Sequence, residues 1–151
     1  MIDSTDKQIL QLLQSDATLS VQQIAERIHL TVSPCWRRIQ NLETKGFIEK
    51  RVALLNRAKL DLGIDVFVFV RAKTHNDRWL EQFSSAVESL PEVCEAYRMS
   101  GEVDYLLRVV VKDIQAYDHF YKRLVSRVDL ADVSSSFAME RMKYTTKLPL
   151  E

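Results

Sequence analysis

The segment Ser33-Pro34-Cys35-Trp36-Arg37-Arg38-Ile39-Gln40-Asn41-Leu42 puts two guanidinium forks, a hydroxyl, an amide and an indole within ten residues. A guanidinium donates two parallel hydrogen bonds, the geometry that a guanine edge or a phosphate accepts. Ser33 reads as an N-cap, with Pro34 at the first helical position, where a missing N–H costs nothing. The N-terminus of such a helix suits a phosphate. Cys35, Ile39 and Leu42 follow i, i+4, i+7 and should face a core. Pro34, Arg37, Arg38, Asn41 and Lys45 then fall on the opposite face. Ser33, Pro34, Trp36, Arg37, Arg38, Asn41 and Lys45 are therefore the candidate contacts to double-stranded DNA, with Lys50 and Arg51 as rim contacts to phosphate. Three residues keep a second reading. Trp36 either touches a sugar or a thymine methyl, or packs at the core edge. Arg37 and Arg38 either meet DNA or solvate the exposed helix face, with Arg37 paired to Glu43 or a neighbour.

The elements around this segment must hold it out to a partner. Thr5-Asp6-Lys7-Gln8 has the form of a capping box, which predicts a helix from Thr5 to Gln14 with Ile9, Leu12 and Leu13 on its core face. A second box, Ser20-Val21-Gln22-Gln23, opens a helix that buries Val21, Ile24, Ala25 and Ile28. The basic helix follows after a tight turn and stops at Gly46. Two short helices joined this way form a helix-turn-helix, whose second helix enters the major groove. Phe47 to Val52 alternates and reads as a short wing strand.

Past this point the pattern changes. Residues 51–63 form a connector that is neither Gly-rich nor Pro-rich, so it should be ordered and packed. Val66 to Val70 is a β-branched and aromatic strand. Trp79, Leu80, Phe83, Val87 and Leu90 mark a helix ended by Pro91. Val93–Met99 and Tyr105–Val111 are strands joined by a short turn, hence a hairpin. Asp113 caps a helix carrying Ile114, Tyr117, Tyr121, Leu124 and Val128, and Val133–Tyr144 reads as a long last strand. The order βαββαβ is the ferredoxin-like pattern, and the class is α+β. Such a sheet is covered on one side, so its bare face should meet a second copy. The domains are 1–50, the connector 51–63, and 64–151.

Composition sets the outer bounds. The 151 residues hold 21 Lys+Arg and 21 Asp+Glu, a net charge of zero. Residues 1–60 carry 9 Lys+Arg against 6 Asp+Glu, while residues 61–151 carry 12 against 15. The excess of cations thus lies in the half that would meet a polyanion. No apolar run is long enough to span a bilayer, and the acidic, polar start is no signal peptide. A cytoplasmic, nucleoid-associated protein without a membrane partner is expected. Cys35 and Cys94 have neither metal-type nor disulfide spacing. Cys35 sits near a helix N-terminus and two arginines, which could sensitise a thiol, yet its core-facing position favours packing. Cys94 also reads as packing. His29, His75 and His119 are scattered, so no metal or other cofactor is expected. No catalytic set emerges.

Three stretches together resemble the Lrp/AsnC (feast/famine) family of transcriptional regulators. They are Asp3–Leu10, Ser33–Arg38 running on through Leu42–Ile48, and Gly101-Glu102-Val103-Asp104-Tyr105-Leu106-Leu107. The resemblance implies a winged helix-turn-helix followed by a ferredoxin-like effector (RAM) domain, and a homodimer that assembles to a tetramer or octamer. It implies a small amino-acid effector bound between dimers near the Gly101–Asp104 turn. The candidate effector residues are Met99, Ser100, Gly101, Glu102, Asp104, Ser134, Ser135 and Ser136. Asp104 could accept hydrogen bonds from an α-ammonium group, or bond backbone as a turn residue. The three serines could line a polar site or an edge facing water. The ending Ser134–Glu140 with Lys143–Thr146 resembles the family's cysteine-responsive regulators, which implies L-cysteine as effector and a cysteine-detoxification gene as target. The alternatives are an architectural, nucleoid-type protein that wraps DNA without a ligand, and a small metabolic enzyme with a helical oligomerisation arm.

Overall fold

Reciprocal carboxylate–amide bonds set the start of the first helix, α1 (Ser4–Ser15). Asp3 accepts from the Asp6 N–H at 2.8 Å, and Asp6 accepts from the Asp3 N–H at 3.3 Å. The capping box therefore lies on this acidic pair, two residues before the expected Thr5 and Gln8. A charged acceptor bonds a helix-terminal amide more strongly than a hydroxyl and complements the helix dipole. Ser20 and Gln23 form the second box where the sequence placed it and open α2 (Val21–Arg27).

The basic helix, α3 (Val32–Thr44), starts earlier than expected. Thr31 is its N-cap, so Ser33 and Pro34 are its second and third residues. Proline is as harmless there as at the first position, because first-turn amides have no partner inside a helix. Lys45 ends the helix and Gly46, at φ +76°, takes the left-handed turn expected of it. Phe47 and Ile48 both donate their N–H to the Leu42 carbonyl, at 2.9 and 3.2 Å. No wing strand forms over residues 47–52, since this segment folds back on the end of α3 and has no strand beside it.

The computed structural model describes residues 2–151 and divides into two units. One comprises the residues up to Leu54 together with Met142–Glu151; the other is Leu55–Arg141. The last ten residues thus group with the helices, whereas the sequence assigned them to the second domain. In the helical unit Ile9, Leu13, Leu19, Ile24, Ala25, Cys35, Ile39 and Leu42 form one core.

The second unit is a four-stranded sheet with two helices. Its elements are β1 (Ile64–Ala72), α4 (Asp77–Glu88), β2 (Val93–Arg98), β3 (Tyr105–Val111), α5 (Ile114–Arg127) and β4 (Leu130–Phe137). The strand order is β2-β3-β1-β4, every pair antiparallel. Alternate residues of the central strands, Val66, Val68, Val70, Leu107 and Val109, meet Phe120 and Leu124 of α5 and Phe83 of α4 in a second core. Each such side chain contributes about 1.5–3 kcal/mol. Trp79 stacks on Phe83 at 5.1 Å and donates its indole N–H to the Asp129 carbonyl at 2.7 Å.

Two expectations fail here for want of a neighbour. β4 ends at Phe137 rather than Tyr144: β1 begins at Ile64, and the Ala138 N–H already reaches the Asp65 carbonyl at 2.9 Å. Later residues have no strand to pair with. The connector is not packed. Arg51–Asn56 has no regular structure, and Val52, Leu54 and Leu55 are 61%, 64% and 71% exposed. These apolar side chains belong to neither of the two cores.

Candidate nucleic-acid interface and effector region

α3 presents a solvent stripe at helical spacing. Ser33, Trp36, Arg37, Gln40, Asn41, Thr44 and Lys45 are all exposed, and Pro34 is half-buried. Trp36, 52% exposed, belongs to this stripe and not to the core edge. Cys35, Ile39 and Leu42 are buried on the other side, as their spacing required. Thr31 makes no side-chain cap bond, so the positive end of α3 keeps unsatisfied amide donors.

The two arginines part company. Among the described residues no carboxylate lies within ion-pair distance of Arg37. Glu43, its possible partner, pairs with Arg51 at 2.9 Å and accepts from Gln40 at 3.1 Å. Arg38 turns toward α1 and donates to Asp3 at 2.7 Å and to Asp6 at 2.8 Å. The Asp6 backbone N–H first, and the Arg38 guanidinium second, hold the Asp3 carboxyl below the usual carboxylate range. Burial pushes the Cys35 thiol up, against a sensor role. Sequence reasoning left out Gln40 and Thr44, which the i+3 and i+7 steps from Arg37 could have found.

The turn between β2 and β3 is tied to the end of β1. The Met99 N–H donates to the Asp104 carbonyl at 2.8 Å, and the Asp104 N–H to the Val70 carbonyl at 2.9 Å. One carboxylate oxygen of Asp104 accepts from the Ala72 N–H at 2.7 Å. Ser100, Gly101 and Glu102 stand exposed at the tip, with Gly101 at φ +127°, a conformation that only glycine adopts without strain.

The three serines do not act together. Ser135 faces the helices and shares a hydrogen bond with the Tyr117 hydroxyl. Ser134 and Ser136 lie on the bare face, opposite Phe69 and Phe67. Register extends these into two cross-strand rows, Ser134–Phe69–Leu106–Tyr97 and Ser136–Phe67–Arg108–Glu95. Tyr97 donates to Glu95 at 2.7 Å, and this bond with Arg108 holds the Glu95 carboxyl low. Cys94, expected in packing, sits at the β2 bulge and is exposed, because the extra residue there breaks the alternation. Apart from this turn and these rows, an open groove of about 530 Å³ runs along α4 and α5, lined by Glu81, Gln82, Ser85, Ala86, Ser89 and Arg127. Among the described residues no helix is long and apolar enough to cross a membrane.

Residues 65–148 match the family model described as Lrp/AsnC ligand binding domain, and residues 2–49 match winged helix-turn-helix DNA-binding. The chain belongs to the Lrp/AsnC family. It is a DNA-binding transcriptional regulator with an amino-acid-binding domain, and its relatives are regulators, not enzymes. This Lrp/AsnC chain is 49% identical to the DNA-binding transcriptional activator DecR of Escherichia coli K12 across the whole of both chains. The crystal structure of an AsnC family regulator from Agrobacterium tumefaciens superposes with a TM-score of 0.95 at 53% identity, covering 98% of this chain and 97% of that one. Transcriptional regulator NMB0573 of Neisseria meningitidis, solved as its L-Met complex, gives 0.94 at 37% identity, covering 99% and 97%.

Proposed function

We propose that this regulator reads a specific operator through the solvent stripe of α3 and that a small amino acid, L-cysteine, tunes the binding. The observation that carries the first half is Arg37: an unpaired guanidinium beside Ser33, Trp36 and Asn41 on a helix whose amide end is uncapped. Arg37 and Asn41 supply base-edge contacts. The free amides of the first turn, Ser33 and Lys45 supply phosphate contacts, which position the helix without reading sequence. Arg38 orients α3 against α1 and reaches DNA only at its rim.

The effector half rests on the β2–β3 turn. Asp104 uses one carboxylate oxygen on backbone, which leaves the other for an α-ammonium group, and the exposed amides at Ser100 and Gly101 suit a carboxylate. The turn is open in the single chain, so the site closes only when copies assemble. A dimer through the bare sheet face, built up to a tetramer or octamer, supplies the missing wall. The L-Met complex of the Neisseria relative and the likeness of residues 134–146 to cysteine-responsive regulators support a sulfur-containing amino acid. On this reading the regulator acts in the cytoplasm, bound to the nucleoid, and its target is a cysteine-detoxification gene.

The test begins with selection of genomic fragments by the full chain, followed by fluorescence anisotropy on the enriched site. The expected result is one preferred motif with two-fold symmetry, binding that weakens steeply with salt, and an affinity shifted by L-cysteine but not by L-serine. Enrichment without any motif would overturn the reading in favour of DNA wrapping. A motif with no response to L-cysteine or L-methionine would remove the effector half alone.

A further inference from the structure

Two stretches of covalent chain join the units, one between Leu54 and Leu55 and one between Arg141 and Met142. Both start from the same buried carboxylate. Asp65, 7% exposed at the head of β1, accepts from Arg57 at 2.8 Å, from Arg108 at 3.0 Å and from Arg141 at 3.1 Å. Arg57 lies just past the first crossing and Arg141 just before the second. Arg108 ties the same carboxylate to Glu95 of β2 at 2.7 Å. A buried carboxylate with three guanidinium partners keeps its place, because any departure leaves cations facing one another.

The segment past Arg141 lies along α1. Lys7 donates its ammonium to the Glu151 carbonyl, and Gln11 donates to the Leu150 carbonyl at 3.3 Å. Gln14 exchanges two bonds with Leu148, donating to its carbonyl at 3.0 Å and accepting its N–H at 2.8 Å. Lys7, Gln11 and Gln14 follow i, i+4, i+7, so one stripe of α1 holds the backbone of the segment while Ile9 and Leu13 hold the core. The first turn of α1 in turn holds α3 through Arg38.

We propose that residues 142–151 are a second tether, a strap clasped on α1, and that Asp65 is the joint from which both tethers leave the sheet unit. Only residues 138–141 separate the end of β4 from the strap. Asp104 bonds β1 at Val70 and Ala72, so a shift of β1 on amino-acid binding is delivered through Asp65, Arg141 and the strap to Lys7, Gln11 and Gln14, and from α1 through Asp3 and Asp6 to Arg38 on the DNA-reading helix. Lys7, Gln11, Gln14 and Arg141 are positioning residues in this path, acting through α1 and Arg38. The signalling part of the proposal rests on the amino-acid reading given above; the clasp itself does not.

Three measurements on the full chain separate these parts. Hydrogen exchange should show the Leu148 amide, which donates to Gln14, protected in the wild type, with exchange there rising about tenfold in the double variant Gln11→Ala/Gln14→Ala while β1 stays unchanged. Calorimetry with L-cysteine should give the same heat for both proteins, and DNA affinity without L-cysteine should agree within about twofold. The shift in DNA affinity caused by L-cysteine should be lost in the variant and in Arg141→Ala. An unprotected Leu148 amide in the wild type would overturn the clasp. A full L-cysteine shift in both variants would overturn the signalling path. If the wild type binds no L-cysteine, the effector reading fails and the exchange experiment still decides the clasp.

Discussion

Arg38 commits its guanidinium to Asp3 and Asp6, and Asp6 is only 8% exposed. Arg38→Ala therefore strands a buried carboxylate and should cost the helical unit about 1–3 kcal/mol in a thermal melt. Arg37→Ala should leave the melt unchanged and lower operator affinity at least about tenfold, the value of one lost base contact. Anisotropy and melting curves on the same two variants check the pair, and the reverse pattern would exchange their roles. Asp3 adds a pH dependence. Its carboxyl titrates below the usual range because the Asp6 N–H, and then Arg38, favour the charged form. The stability it contributes is present above the unfolded value, about 3.9, and is lost as pH falls through the lower folded one. Helical signal should thus decline below about pH 4, and Asp3→Asn should blunt that decline. Cys35 is fully buried with its thiol raised, so a maleimide should label it only as the protein unfolds. The core positions of α3 were legible from spacing alone. The partner of Arg38 was not, because Asp6 lies 32 positions away and only the packing of α1 on α3 brings it near.

At the scale of elements, local chemistry carried the farthest where an element decides its own ends. Ser20 and Gln23 capped α2, Asp113 capped α5, and Tyr105–Val111 formed β3 over the span expected. Where an end depends on a neighbour, the pattern overran. Residues 139–144 run on past the start of β1 and have no strand beside them, and residues 47–52 lack the second strand that a wing needs. The Met99–Asp104 turn shows the same division. Gly101 was legible as a tight turn, but the bond from the Ala72 N–H to Asp104 depends on β1 lying beside β3. This bond makes Asp104 testable in two steps. Asp104→Asn keeps an acceptor for Ala72 and should hold the melting free energy within about 1 kcal/mol, while weakening L-cysteine about tenfold through loss of the charged acceptor. Equal calorimetric affinity in Asp104→Asn would assign Asp104 to the turn alone.

The whole molecule leaves apolar surface without a cover. Phe67, Phe69 and Leu106 are half-buried on the bare side of the sheet, beside a Tyr97 that is 50% exposed. The connector adds Val52, Leu54 and Leu55. The proposed dimer would cover this face with a second copy. The packing expected of the connector is not found, since Val52, Leu54 and Leu55 stay mostly exposed among charged neighbours such as Arg51 and Lys59. Phe67→Asp should shift the protein toward monomer in light scattering after gel filtration, with the ordered core of the sheet unit kept. An unchanged mass would move the interface elsewhere. One consequence reaches the spectrometer. Trp36 stands in water on the DNA-reading helix, whereas Trp79 is stacked and hydrogen-bonded inside the sheet unit. The protein's fluorescence should therefore be a two-colour signal, with a red component from Trp36 that iodide quenches and that the proposed operator contact would shield. The blue component from Trp79 should respond to neither and change only with the sheet unit itself.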